Sequence, residues 1–166
     1  MSNTELCPYP TNKKEAIMTD RIPRFIGLFQ MIQIGFLKKA FTSLQFAMKR
    51  AATLPEDLEL RDACIQRFEY TFELCIKLTK RYIEQEMPIH EQIDQLNYRE
   101  LIRLAFEAGL IEKVEPWFQY REARNQTSHA YDEKKAQDVY RILPSFEQDV
   151  EYLCEQFDVR LAKSKS

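Results

Sequence analysis

Glycine is scarce in this chain, with three among 166 residues, and that scarcity disfavours turn-rich all-β folds and glycine-rich phosphate loops. The four cysteines, Cys7, Cys64, Cys75 and Cys154, form no close pair. Neither a zinc finger nor a disulfide framework is therefore indicated, and reduced, partly buried thiols in a cytoplasmic protein are expected. A long apolar run is missing as well. The most apolar stretch, Phe25 to Leu37, is interrupted by Gln30 and Gln33 and falls short of the roughly 20 apolar residues that a membrane span needs. Residues 1–24 lack the basic start and apolar centre of a signal peptide, carrying Asn3, Glu5, Pro8, Pro10, Glu15 and Asp20 instead, and are expected to form a mobile tail. Charge of one sign is also lacking: 24 basic residues face 26 acidic ones, for a formal net charge of −2. This excludes a broadly basic nucleic-acid coat but not a small basic cleft.

What the chain does have is helical periodicity, from about residue 25 to residue 161. Met31, Ile34, Leu37, Phe41, Leu44 and Met48 fall on one helix face, and Pro55 then breaks the chain. Ile65, Phe68, Phe72, Cys75, Thr79 and Tyr82 mark the seam of a long second helix, expected over 58–85 and ended by Met87-Pro88. Asn97 and Glu100 read as the capping box of a third helix, with Leu101, Leu104, Ala105 and Ala108 as its apolar face and Gly109 as its left-handed stop. A fourth helix is expected over 115–130, opened by Pro116. A fifth segment opens after Asp132, with Pro144 placed to kink or split it. Short connections between amphipathic helices and the absence of a strand pattern predict an all-α, antiparallel up-and-down bundle of four to five helices. The expected organisation is a tail over 1–24, the bundle over 25–161 and a polar tail over 162–166.

Only two histidines are present, in contrasting surroundings. His90 lies in a polar connection with no partner at useful spacing and reads as an ordinary loop residue. His129 closes the polar run Arg124-Asn125-Gln126-Thr127-Ser128-His129, which follows the aromatic Trp117, Phe118 and Tyr120. At about 100° per helical residue, Arg124, Ser128 and Tyr131 line up, with Asn125 and His129 on the adjoining stripe. Two readings fit this face. One is a solvated helix end with Arg124 paired to a carboxylate. The other is phosphodiester chemistry, in which an imidazole exchanges protons near neutral pH and a guanidinium grips a phosphate at two points. RNA carries its own nucleophile, the 2′-hydroxyl, so such a site requires no metal, no cofactor and no serine or cysteine. One His and one Arg are few for both acid and base roles, and a symmetric dimer would double them.

Other charged groups accompany this face. Glu69 and Glu73 share one face of the second helix and are expected to form structural ion pairs, to Arg124 or Arg67. Lys77, Lys80 and Arg81 read as a solvated face, with an RNA path as the alternative. Trp117 reads as an anchor of the core or of a dimer interface.

The block from Arg124 to Tyr131 resembles the R-x4-H-x-Y motif of HEPN-domain proteins, and in particular the HepT-like branch of nucleotidyltransferase substrate-binding proteins. Arg61 to Leu74 is similar to that branch's long second helix, and Ala105 to Ile111 with Trp117 also fits. The resemblance covers about residues 30–160 and departs at Ile76, where the branch commonly has tryptophan, and in the longer amino-terminal tail. It implies a homodimer that partners a small nucleotidyltransferase in a toxin–antitoxin setting, with RNA or a nucleotide in the dimer cleft. It further implies a metal-independent ribonuclease with Arg124 and His129 as its catalytic pair, Asn125 as the polar residue beside them, and Tyr131 as the hydroxyl that the partner modifies with AMP. The other function within the resemblance is a non-catalytic subunit that presents a substrate or nucleotide to the nucleotidyltransferase.

Overall fold

A computed structural model describes residues 34–86, 97–129 and 131–163, with His129 described for its backbone alone. Met31, His90, Cys7 and the expected tail over 1–24 lie outside the described residues. So do 164–166, the end of the expected carboxy-terminal tail; residues 162 and 163 continue the last helix.

Six α-helices make up the described chain: α1 over 34–53, α2 Leu58–Glu86, α3 Tyr98–Glu107, α4 Glu115–Gln126, α5 Glu133–Arg141 and α6 Leu143–Lys163. The count exceeds four to five because Pro144 splits the last segment. With no N–H to donate, proline is tolerated in the first turn of a helix but not in its interior. The helix therefore closes at Ile142, whose N–H bonds Val139 O at 3.3 Å, and reopens with Pro144 in the first turn of α6.

Local chemistry sets the other ends. The Asp57 carboxylate accepts from Leu60 N at 3.1 Å at the start of α2. Asn97 accepts from Glu100 N at 3.1 Å while Glu100 accepts from Asn97 N at 3.0 Å, completing the capping box of α3. That helix stops at Gly109, with φ of 67°, where Leu110 N reaches Ala105 O and Gly109 N reaches Phe106 O, both at 2.9 Å. Leu110 is fully buried beneath this stop.

Inter-helix partners give the directions. Lys38 pairs with Asp158 and Gln45 with Glu147, so α1 and α6 run antiparallel. Phe68 packs on Phe146 and Tyr82 on Phe157, so α2 and α6 run parallel. The seams read from the sequence point inward: Ile34, Leu37, Phe41 and Leu44 of α1 are buried, as are Ile65, Phe68, Phe72, Cys75 and Thr79 of α2.

The centre of the core is aromatic. Phe146 meets Phe68 edge-on at 4.8 Å and Tyr120 edge-on at 5.1 Å, and Trp117 stands edge-on to Tyr120 at 5.7 Å. Such pairs contribute about 0.5–1.5 kcal/mol each beyond the area they bury. Cys64, Cys75 and Cys154 are buried free thiols, and burial pushes Cys154 up to about 11. No helix among the described residues is long and apolar enough to cross a membrane.

Candidate functional site

The polar face of α4 is placed by its apolar one. Trp117, Tyr120, Ala123 and Thr127 are buried, which turns Arg121, Arg124, Asn125 and Ser128 toward α2 and solvent. Tyr120 reinforces the anchor: its hydroxyl donates to Asp149 Oδ2 at 2.5 Å, and burial together with this bond raises the phenol's pKa.

Arg124 lies over the middle of α2. Its Nε donates to Glu73 Oε1 at 3.1 Å, its Nη2 donates to the same oxygen, and Nη2 stands 3.4 Å from Glu69 Oε1. The Glu73 hydrogen bond raises the Arg124 pKa and so favours the charged guanidinium. Arg67 takes no part, since it bonds Ser43 Oγ at 3.1 Å and Ala63 O at 2.9 Å. About a third of the Arg124 side chain remains exposed.

Beside this pair opens a cleft of 310 Å³ between α2, α3 and α4. Arg124, Asn125, Arg121, Lys77 and Lys80 stand around it over Phe72, Ile76 and Tyr98, with Glu73 as its one carboxylate. Four cations against one anion make this a locally basic site on a chain of near-neutral charge. Arg81 does not line it.

The helix carrying the motif differs from the expected one. α4 closes at Gln126, and residues Thr127–His129 form a 3-10 turn. The sequence supplies the reason: Thr127 Oγ1 donates to Arg124 O at 2.7 Å and Ser128 Oγ to Asn125 O at 3.1 Å, taking carbonyls that a continuing α-helix would use. The stripe drawn through Arg124, Ser128 and Tyr131 at constant helical rotation therefore does not form. Arg124 and Asn125 project from the last α-turn, the His129 backbone belongs to the tighter turn, and Tyr131, 86% exposed, sits in the bend before α5. Asp132 then caps α5 by accepting from Lys134 N at 3.0 Å, and Arg61 pairs with Glu133, tying that first turn to the start of α2.

Two lining residues, Tyr98 and Arg121, were not singled out by sequence reasoning. Arg121 is three residues before Arg124 on the same stripe, so helical spacing could have found it. Tyr98 carries no such signal, because only the packing of α3 on α4 brings it to the cleft.

Residues 32–159 match the family described as nucleotidyltransferase substrate binding protein like. The chain belongs to this family. A Haemophilus influenzae relative named Probable ribonuclease HepT is 36% identical over 96 residues, covering 58% of this chain and 66% of that protein, just under two thirds of its length. A solved Haemophilus influenzae structure, described as the fold of a substrate-binding domain of a nucleotidyltransferase, superposes with a TM-score of 0.71 at 30% identity. That match covers 75% of this chain and 98% of the other. A Thermus thermophilus structure matches with a TM-score of 0.52 at 32% identity, over 67% of this chain and 98% of its own. Within the family's span lie both halves of the candidate site, the Glu69/Glu73 face of α2 and the Arg124–His129 segment.

Proposed function

We propose that this protein is a metal-independent endoribonuclease that acts as a homodimer and is silenced by a partner nucleotidyltransferase. The observation that carries the reading is Arg124, a part-exposed guanidinium held by Glu73 at the edge of a basic cleft, five residues before His129. The name of the Haemophilus relative supports the activity and the family description supports the partner.

The RNA 2′-hydroxyl attacks the adjacent phosphorus while a neutral His129 imidazole takes its proton. The bond to the 5′-oxygen breaks, and that oxygen receives a proton from the imidazolium of the second copy. A 2′,3′-cyclic phosphate and a 5′-hydroxyl end result. Arg124 stabilises the charge that builds on the non-bridging oxygens, and Asn125 hydrogen-bonds beside it. The dimer supplies the acid and base that one chain with one motif histidine lacks. In the silenced state the partner transfers AMP from ATP to Tyr131: the phenol oxygen attacks the α-phosphorus and pyrophosphate leaves. The exposure of Tyr131 suits that attack.

The test is cleavage of single-stranded RNA in the presence of EDTA. Arg124→Ala and His129→Ala are expected to slow it by about 100-fold or more, the range of a lost charge stabiliser or proton carrier. Equal rates in wild type and both variants would overturn the reading. Sedimentation of the wild type at dimer mass is expected alongside.

A second reading is favoured by the description of the structural relative: a non-catalytic subunit that presents a substrate to the nucleotidyltransferase. It predicts no cleavage by any form, together with loss of transferase activity in the partner's complex when Arg124 is replaced.

A further inference from the structure

The cleft extends beyond Arg124, and its far half has a composition of its own. Arg121 lies over the Tyr98 ring, 4.3 Å from guanidinium carbon to ring centroid. Tyr98 is fixed in turn, its hydroxyl donating to Trp117 O at 2.6 Å, and desolvation raises its pKa. Phe118 stands tilted beside Tyr98 at 6.2 Å, and Arg99 lies 4.9 Å from the Phe118 ring centre. Across the cleft, Lys77 and Lys80 stand one and two turns beyond Glu73 on α2, with Lys80 held 3.7 Å from Glu84. Glu73 itself is engaged by Arg124, so its charge is offset from the other side of the cleft.

We propose that this half of the cleft binds one nucleoside-phosphate unit, its base against the Arg121–Tyr98 stack and Ile76, its phosphate on Lys77 and Lys80. A planar cation over an aromatic ring, beside an apolar floor, offers a base a stacking surface that requires no particular sequence. Two ammonium groups across the gap supply point charges for a phosphate. A volume of 310 Å³ lies at the lower end for small-molecule sites, enough for one nucleotide and too little for a duplex. The chemistry also argues against paired RNA, whose bases are stacked on one another, and for a single strand or a free nucleotide. In a strand, the bound unit is the neighbour of the phosphate held at Arg124. That placement rests on the ribonuclease reading; the binding itself does not.

The test measures binding to the full-length protein by a labelled 2′-O-methyl RNA hexamer, which has no free 2′-hydroxyl to attack, with AMP as competitor. Arg121→Lys keeps the charge and loses the plane, and is expected to weaken the hexamer roughly fivefold or more, as loss of a stacked base does. Lys77→Ala/Lys80→Ala is expected to weaken it further and to lower the salt slope by about 0.7 for each phosphate no longer held. Lys49→Ala, on the exposed face of α1, serves as the folded control and is expected to bind as wild type does.

Displacement of the hexamer by micromolar AMP, with both cleft variants weakened for AMP too, assigns the site to a free nucleotide. Displacement only by a second oligonucleotide assigns it to a strand. Equal hexamer and AMP affinities in wild type and both cleft variants overturn the proposal, as does tighter binding of a blunt duplex than of the hexamer. Because the probe is not cut, failure of the ribonuclease reading appears separately, as intact RNA in the EDTA assay with the cleft variants still weakened for the hexamer.

Discussion

The two faces of α4 are built on different physics. Trp117, Tyr120 and Ala123 face inward, where rings from α2 and α4 stand edge-on around Phe146 of α6. Arg121, Arg124 and Asn125 face outward, where the Tyr98 ring, the Glu73 carboxylate and two lysines surround an open cleft. On the inner face the rings are held by several neighbours, and the Tyr120 hydroxyl has the Asp149 carboxylate as its partner. The outer face concentrates like charges that packing does not require. The lesson is that the inner face fixes the outer one in place at little cost in freedom: a helix end pinned by buried rings can present a charged site without a rigid loop.

The largest effect should break the inner face. Phe146→Ala removes the ring at the crossing of α2, α4 and α6 and is expected to destabilise by about 3–5 kcal/mol, read from urea unfolding. It should weaken cleavage only in proportion to the fraction unfolded. Next comes the outer face: Arg124→Ala is expected to cost about 100-fold in RNA cleavage, equal to about 2.7 kcal/mol of barrier. Its effect on the unfolding midpoint should be small, since a part-exposed ion pair contributes about 1 kcal/mol or less. Equal losses in both assays for Arg124→Ala would erase the distinction between the faces.

Tyr120→Phe sharpens it from within. Leaving the Asp149 carboxylate without its donor should cost about 1–3 kcal/mol. The same residue carries a pH signature. Its phenol has a higher pKa folded than unfolded, so its contribution is whole below the unfolded value near 10 and is lost as pH rises above it. Wild-type stability should therefore fall as pH rises through the thiol and phenol range, and less steeply in Tyr120→Phe; Tyr98, Tyr140 and the thiols of Cys64, Cys75 and Cys154, all raised by burial, share the rest of the slope. The smallest effect lies outside both faces: Asn97→Ala removes the capping box of α3, for about 1 kcal/mol in thermal unfolding with cleavage unchanged.

Much of this was legible in the chain itself. The α1 and α2 seams, the Asn97 box, the Gly109 stop, the Asp132 cap and the break at Pro144 are local events, each written in residues close together. Glu69 and Glu73 share a face by spacing alone, and the structure sets Arg124 against both. The end of α4 is not legible in the same way, because Thr127 and Ser128 are ordinary helix residues until their hydroxyls fold back on carbonyls three residues earlier. That choice separates Tyr131 from the stripe of Arg124.

Sequence alone determined the helices, their apolar faces, the family motif and the limit on charge, because propensity, periodicity and caps act over a few residues. Only the tertiary structure decided which cations share a cleft. Arg121 meets Tyr98 and faces Lys77 because α3 and α4 pack against α2, and contacts between elements distant in the chain depend on how buried surfaces fit. The near-neutral total thus conceals a local excess of positive charge that no count of residues could locate.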